Sequence, residues 1–98
     1  MDRAQAMKNK MLRGQVLRTL ALFYPDTVSI SGIKTALVTR GVLLTANTNK
    51  AIYYVEDKGY IKIRDVALKE IEDDTQIELT AKGIDLLEGT TEDAGVDV

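Results

Sequence analysis

Amide, hydroxyl and ammonium side chains cluster in one short stretch, Thr45 to Tyr54, which reads TANTNKAIYY. Asparagine can form a bidentate pair with the edge of adenine, and lysine can reach guanine or a phosphate. A tyrosine hydroxyl can bond a phosphate oxygen. Asparagine and threonine are also common where a helix begins, because they satisfy unpaired backbone amides. The stretch therefore has two interpretations, a surface that reads nucleic acid and an ordinary capped helix with a polar outer side.

The spacing around this stretch predicts a helix that begins after the cap Thr45 and ends at Gly59. Its inward side comprises Thr48, Ile52 and Val55, which recur at intervals of three and four residues. The outward side then consists of Ala46, Lys50, Tyr53 and Asp57, flanked by Asn47, Asn49 and Tyr54. We expect the polar N-terminal half of that outward side to carry the binding chemistry.

Catalytic chemistry has little support in this composition. The chain contains no histidine and no cysteine, so the usual nucleophile–base pairs and soft metal ligands are absent. Serine occurs only at Ser29 and Ser31, where either can cap a helix. Asp73 and Asp74 form a carboxylate pair, but an exposed turn lacks the burial that shifts a catalytic pKa. We therefore expect a protein that is not an enzyme and that needs no metal or cofactor.

Charge is divided unequally along the 98 residues. Residues 1–64 contain eleven Lys/Arg and four Asp/Glu, a net charge of +7, whereas residues 65–98 contain two Lys and eleven Asp/Glu, a net charge of −9. Such a division predicts one part that faces a polyanion and an acidic part held away from it. The alternative is that both parts are solvated surfaces that neutralise each other in the folded chain.

Length and hydropathy predict one soluble domain. The longest apolar run is Leu20 to Tyr24, far shorter than a membrane span, and no apolar segment with a cleavage site follows the basic N-terminus. The absence of cysteine fits a reducing compartment. These observations predict a cytoplasmic protein that does not contact a membrane.

The periodic pattern predicts an α+β fold. The expected order is a helix over residues 1–24, a strand at 27–30, a helix to residue 40, the helix after Thr45, a strand from residue 60, an acidic turn, a strand at 75–80 and a helix after Thr80. Three helices followed by a β-hairpin form a helix-turn-helix with an added wing. We expect an N-terminal helical extension over residues 1–11, a domain over 12–88 and a disordered acidic tail over 89–98.

Two short motifs carry a family resemblance. The segment YYVEDKGYIKI is followed, after a gap of hairpin length, by IELTAKGIDLLEG. Together they resemble the winged helix-turn-helix DNA-binding proteins of bacteria, of the MarR and PadR kind, and more narrowly the small winged-helix proteins of Mu-like prophages. The resemblance covers about residues 12–89. The matching residues are Val55, Glu56, Lys58, Gly59, Tyr60, Ile61, Leu79, Thr80, Gly83, Leu86 and Leu87.

This resemblance implies a sequence-specific DNA-binding protein that regulates transcription of bacterial or prophage genes. In such a fold the helix before the wing enters the major groove with its N-terminal half against the bases. The partner would be double-stranded DNA. The residues expected to contact it are Thr45, Asn47, Asn49, Lys50, Tyr53, Lys34, Lys62 and Arg64.

The first helix has a second apolar stripe besides the one that faces the core. Two stripes imply two burial partners, and the second partner is expected to be another copy of the chain. A homodimer would bind a palindromic site. The predicted dimer residues are Ala4, Met7, Met11 and Leu22, with Ile84 and Leu87 of the last helix.

The acidic turn favours a different function. Glu70, Glu72, Asp73 and Asp74 are expected at the tip of the hairpin, where they would repel a phosphate backbone. We therefore expect this tip to face solvent or a basic protein partner, and not to enter the minor groove. The alternative function is a winged-helix module for protein–protein interaction that does not bind DNA. A single basic stripe formed by Lys34, Lys50, Lys62 and Arg64 would favour DNA.

Overall fold

The computed structural model describes residues 2–64 and 71–98, and these residues form four helices and a three-stranded antiparallel sheet. The predicted α+β class is confirmed, and the described elements follow the predicted order. The elements are α1 (Arg3–Ala21), β1 (Val28–Ser29), α2 (Ile30–Thr39), α3 (Ala46–Asp57), β2 (Ile61–Arg64), β3 (Gln76–Leu79) and α4 (Ala81–Leu87).

Strand β3 lies at the centre of the sheet, between β1 and β2. Ile77 pairs with Ile63 of β2 and with Val28 of β1. Alternate residues of a strand point to opposite faces, so this register places the branched side chains on one face. Gln76, Glu78, Lys62 and Arg64 follow on the other face.

Caps and glycines set the ends of the helices. The hydroxyl of Ser29 accepts from the amide of Gly32, which makes Ser29, and not Ser31, the N-cap of α2. Thr45 and Thr80 cap α3 and α4, as predicted. Gly59 has a φ of +83°, a conformation that favours glycine and turns the chain from α3 into β2.

One hydrophobic core joins the helices to the inner face of the sheet. The predicted inward side of α3 is confirmed, because Thr48, Ile52 and Val55 are all buried. A core of this composition fixes how α3 lies on the sheet, and therefore which of its sides stays exposed. The other helices and the sheet contribute Val16, Leu17, Leu20, Ile30, Ile33, Leu37, Ile61, Ile77, Leu79 and Leu86.

The C-terminal tail differs from the disordered segment predicted for residues 89–98. Val96 is 4% exposed and belongs to the core. The amide of Asp97 donates to the carbonyl of Lys10 at 3.0 Å, and Arg13 donates to the carbonyl of Gly95 at 3.0 Å. The acidic composition of residues 89–98 predicted disorder. One buried apolar residue, Val96, and one glycine, Gly95, are nevertheless enough for the segment to pack on α1.

The acidic turn also lies elsewhere than predicted. The amide of Ser31 donates to the carbonyl of Asp73, and that of Ile30 donates to the carbonyl of Thr75, both at 2.9 Å. Because β3 pairs with β1, the residues just before β3 continue along the start of α2. Glu72 to Asp74 therefore lie against α2 and not at the end of a free hairpin. The predicted tip residue Glu70 is outside the described residues.

Candidate nucleic-acid interface

Three of the four residues predicted on the outward side of α3 are exposed, namely Ala46, Lys50 and Asp57. Tyr53, the fourth, is half-buried, and Ala51 joins the buried side. The first ten residues of α3 contain no carboxylate, and the first acidic residue is Glu56. The N-terminal end of a helix carries partial positive charge from its unpaired amides. The exposed N-terminal half of α3 is therefore electrostatically suited to an anion, with Lys50 at its centre.

Thr45 was expected to contact DNA, but both its hydroxyl and its backbone amide form capping hydrogen bonds within α3. Its hydroxyl accepts from the amide of Asn47 at 3.2 Å, and its own amide donates to the hydroxyl of Thr48 at 3.3 Å. The Thr45 side chain also accepts from the backbone amide of Thr48, which completes a capping box between Thr45 and Thr48. The backbone amide of Thr45 is thus engaged inside the protein, whereas its side chain stays exposed at the start of the helix.

Asn47 lies on the flank of α3 that faces α1. Together with Lys50 it lines a cleft of about 160 Å³ whose α1 wall includes Gln5, Asn9 and Arg13. The side-chain amide of Gln5 donates to the Oδ1 of Asn9 at 2.9 Å, a hydrogen bond between residues four apart on one face of α1. The N-terminal extension thus places amide groups beside α3. Sequence reasoning missed Gln5 and Asn9, although their spacing was visible.

A second cleft, of about 390 Å³, opens at the start of α3. Lys8 and Met11 of α1 line one side, Val42 and Leu43 of the α2–α3 connection line another, and Asn47 borders it. Lys8 is exposed, as is Lys50. Lys8 of α1 therefore lines one cleft and Lys50 of α3 lines the other. Asn47 borders both clefts and lies between the two lysines.

The opposite flank of α3 faces the acidic turn. The hydroxyl of Tyr53 accepts from the amide of Ile71 at 2.9 Å, so Tyr53 fastens the turn to α3. Asn49 is half-buried on this flank, and its Oδ1 is buried without a hydrogen-bond partner among the residues described. Both residues were expected to contact DNA, but Tyr53 is engaged by the chain itself.

The two basic residues of β2, Lys62 and Arg64, lie near one carboxylate, that of Glu78. Arg64 donates to Glu78 through Nε at 2.9 Å and also through a terminal nitrogen, which forms a forked ion pair. Lys62 lies directly opposite Glu78 in the sheet register. Arg64 would have to exchange this exposed ion pair for a phosphate, and its contact with DNA stays a prediction.

Lys34 lies on α2, half-buried, and shares a shallow cleft with Asp73. The exposed ends of this cleft are formed by Val38 and Leu44. Asp73 lies beside Lys34, and Glu78 pairs with Arg64, so carboxylates accompany two of the four basic positions whose single stripe would favour DNA. Asn47 shares one cleft with Thr45 and another with Lys50.

The predicted dimer stripe is exposed on α1 but interrupted. Met7 is 60% exposed and Leu22 is 64% exposed, and Met11 lies between them on the same side. The carbonyl of Asp97 lies against Gly14 and accepts from Arg18 at 3.3 Å, which places the tail across the middle of the stripe. Exposed Ala4 lies at its N-terminal end.

The two predicted dimer residues on α4 are partly buried. Ile84 and Leu87 pack against the core of their own chain, and α4 contacts α1. Their part in a dimer stays a prediction.

The described residues define a small α+β protein with an exposed, carboxylate-free N-terminal half of α3. No family model, no curated protein and no solved structure matches the chain. None of the helices described is long and apolar enough to cross a membrane. Residues 2–64 and 71–98 contain no group of three or more His, Cys, Asp or Glu that could hold a metal ion.

Proposed function

We propose that this chain is a winged-helix DNA-binding protein that places the N-terminal half of α3 in the major groove. The observation that carries the proposal is the exposed side of that half, where Lys50 projects and no carboxylate occurs before Glu56. The order of three helices followed by a β-hairpin supports the same fold class. Regulation of bacterial or prophage genes is the biological role we infer for such a protein.

Contacts are proposed to extend from α3 toward α1. Asn47 borders clefts that also involve Lys8 and Lys50, so one amide and two ammonium groups lie on one side of the domain. The major groove of DNA is about 12 Å wide and admits a single helix, with neighbouring elements against the phosphates. Lys50 and Asn47 would then lie nearest the bases, and Lys8 would contact the backbone.

The hairpin is proposed to contribute little to this contact. Arg64 is paired with Glu78, and the exposed carboxylates of Glu72 and Asp73 lie beside the start of α2. Like charges held near phosphates oppose association, most strongly at low ionic strength. The expected complex is therefore asymmetric about α3, with its favourable contacts on the α1 side.

Fluorescence anisotropy with a duplex selected from a random pool tests this proposal. Lys50→Gln and Lys8→Gln should each weaken binding. Lys8→Gln should also lower the slope of log affinity against log salt by about one unit, since it removes a phosphate-directed charge, whereas Lys50→Gln should relax specificity at the base that Lys50 contacts. Lys82→Gln is the matched control, because Lys82 is an exposed lysine on α4. Equal affinity and slope in all four proteins would rule out the proposed contact surface.

A second candidate function is a protein-binding module without a DNA role. Glu72, Asp73 and Asp74 are exposed on a turn that hydrogen bonds fix to α2 and α3. A rigid set of carboxylates fits a basic protein surface. Absence of DNA binding at low salt, together with binding of a lysine-rich peptide that Asp73→Asn abolishes, would favour this function.

We also propose that the protein acts as a homodimer through the exposed stripe of α1. Met7, Met11 and Leu22 supply the apolar area that such a contact needs. Two-fold symmetry would pair two α3 helices with two half-sites. Sedimentation velocity over a range of concentrations measures this association directly, and a monomer at the highest concentration would contradict it.

A further inference from the structure

The cleft of about 160 Å³ between α1 and α3, which we call the basic cleft, is lined by cations and amides but by no carboxylate. Its two cations are Arg13 of α1 and Lys50 of α3, and its other lining residues are Gln5, Asn9, Leu12, Asn47 and Ala51. The chain has more Asp/Glu than Lys/Arg, 15 against 13, so this lining departs from the composition of the whole. Positive charge that carboxylates do not offset attracts an anion.

Arg13 is held in place before any ligand arrives. Its guanidinium lies 3.6 Å from the centroid of the Tyr54 ring and donates to the carbonyl of Gly95 at 3.0 Å. A guanidinium has five N–H groups, and its Nε is buried without a hydrogen-bond partner among the residues described. Within residues 2–64 and 71–98 Arg13 forms no ion pair. It therefore keeps its charge and spare donors, and because it is already ordered, binding costs little side-chain entropy.

Gln5 adds a neutral donor to the α1 wall of the basic cleft. Its Nε2 donates to the Oδ1 of Asn9 at 2.9 Å, which fixes the orientation of the Gln5 amide. A side-chain amide nitrogen has two N–H groups, and this hydrogen bond uses one of them. The second N–H of Gln5 and the guanidinium of Arg13 are therefore donors on one wall of the cleft. Several donors on one wall suit an anion that has several acceptor oxygens.

The size of the basic cleft favours a small anion. Its volume of about 160 Å³ is well below the roughly 300–1,000 Å³ of pockets that hold drug-sized ligands. A single phosphate group suits this space better than an organic molecule with a ring and a chain. Arginine also meets phosphate oxygens with parallel N–H groups, which gives stronger hydrogen bonds than neutral donors form. Size and donor chemistry together point to the phosphate class.

The basic cleft borders the surface of α3 that we propose for the bases. Lys50 is exposed on that surface and also lines the cleft, so the two adjoin. A helix that lies in the major groove has backbone phosphates along its flanks, where contacts fix its orientation. A phosphate on the α1 flank would therefore lie at the cleft, while Lys50 is directed at the bases.

We propose that the basic cleft binds one backbone phosphate of DNA through the guanidinium of Arg13 and the side-chain amide of Gln5. The proposal rests on the DNA-binding function proposed above, and it adds two residues of α1 to the contact surface. Tyr54 and Gly95 are positioning residues for this site, because they hold Arg13 and are not themselves directed at the phosphate. The C-terminal tail thereby takes part in DNA binding through the arginine that it orients.

Anisotropy with the selected duplex at several salt concentrations tests the contact of Arg13. Arg13→Gln should weaken binding and lower the slope of log affinity against log salt by about one unit, because one phosphate-directed charge is lost. Arg13→Lys keeps the charge but loses the planar fork, so it should retain the slope and bind with intermediate affinity. Arg18→Gln is the matched control and should leave affinity and slope unchanged. Arg18 is another arginine of α1 that donates to a tail carbonyl, that of Asp97, but it does not line the cleft.

Gln5→Ala tests the site without loosening the tail, since Gln5 forms no hydrogen bond to residues 89–98. The loss of one neutral hydrogen bond should weaken binding about fivefold and leave the salt slope unchanged, because no charge is removed. Urea unfolding of every variant checks that it is folded. If Arg13→Gln does not fold, Arg13→Lys and Gln5→Ala still decide the outcome, and full affinity in both would overturn the site.

NMR signals from the side chains of Gln5 and Arg13 separate DNA from a free anion. The duplex should shift both signals, and inorganic phosphate should shift them only at much higher concentrations. Shifts with inorganic phosphate, together with an unchanged salt slope in Arg13→Gln, would assign the cleft to a free phosphorylated ligand and overturn the DNA contact. Equal slopes in Arg13→Gln and Arg18→Gln without shifts would overturn the site and leave DNA binding by α3 standing. Failure of the natural protein to bind any duplex at low salt would overturn the proposed function itself.

Discussion

The hydroxyl of Tyr60 donates a 2.6 Å hydrogen bond to the carboxylate of Asp93, which lies 33 residues further along the chain. This contact joins the start of the hairpin to the tail. Burial, followed by the hydrogen bond to Asp93, raises the pKa of Tyr60 to about 12. The same hydrogen bond is the main cause that lowers the pKa of Asp93, and the amide of Gly95 and the ammonium of Lys58 add to it.

Tyr60→Phe should therefore destabilise the fold in a pH-dependent way. A hydrogen bond to a charged group contributes about 1.5–3 kcal/mol, so the variant should lose roughly that much unfolding free energy at neutral pH. The lowered pKa of Asp93 gives stability that is present above its unfolded value, about 4, and is lost as the pH falls below it. The raised pKa of Tyr60 gives stability that is lost as the pH rises from about 10 toward 12.

Urea unfolding at several pH values measures the loss of stability at both the acidic and the alkaline end. The difference between the natural protein and Tyr60→Phe should be largest near neutral pH and should shrink toward both extremes. Tyr24→Phe is the matched control, because Tyr24 is exposed and should show no such profile. A difference that stays constant below pH 4 would mean that the carboxylate of Asp93 does not stabilise the tail.

Gly14→Ala should lower the stability of the fold, whereas an ordinary glycine-to-alanine change in a helix raises it. Alanine normally stabilises a helix interior by about 1 kcal/mol relative to glycine. Here the added methyl overlaps the backbone oxygen of Asp97, so the tail must leave or α1 must shift. We expect lower stability, together with faster hydrogen exchange at the amides of Val96 and Asp97.

Thr35→Ala provides the comparison for this variant, since Thr35 is an exposed helix position on α2. It should be neutral or slightly stabilising, because alanine is the better helix former and no contact is lost. If Gly14→Ala were as stable as Thr35→Ala, with unchanged exchange in the tail, the tail would not be held against Gly14.

Local patterns predicted the elements of this fold well because short-range physics sets them. Thr45 caps α3 through hydrogen bonds to residues within four positions of it. Gly59 turns the chain after α3 because its positive φ favours glycine. The inward side of α3 follows from the spacing of Ile52 and Val55 alone. Each of these features depends on residues close in sequence, and a single chain is enough to recognise them.

Contacts between distant residues could not be predicted in the same way. The pairing of Arg64 with Glu78 depends on the strand register, which places partners 14 residues apart. The docking of Val96 depends on Gly14, 82 positions earlier in the sequence. Acidic composition around Val96 predicted disorder, because a count of residue types does not reveal a recess that fits one valine.

Neutralising the acidic turn should increase affinity for DNA. The triple variant Glu72→Gln/Asp73→Asn/Asp74→Asn removes three exposed carboxylates beside α2 and α3. We expect binding about threefold to tenfold tighter at low salt, with the gain vanishing as salt screens the charges. Anisotropy at two salt concentrations measures this gain.

A variant of equal net charge separates a local effect from a general one. Asp26→Asn/Glu88→Gln/Glu92→Gln also removes three exposed carboxylates, but outside the turn. A local effect requires the turn variant to bind more tightly than this control. Equal gains in the two variants would show that only net charge matters, and would remove the argument that the turn lies beside bound DNA.

Met7→Ser with Met11→Ser should weaken dimerisation without unfolding the chain. Both side chains are largely exposed in the single chain, so their replacement removes little burial from the core. In a dimer each would lose roughly 1–2 kcal/mol of apolar burial, and two-fold symmetry doubles the loss. The dissociation constant measured by sedimentation should therefore rise at least a hundredfold, while the urea midpoint of the monomer stays unchanged. Val38→Ser with Leu44→Ser is the control, because it removes two exposed apolar side chains that line a different cleft, the one beside Lys34. Should both double variants weaken the dimer equally, the contact would not be centred on the stripe of α1.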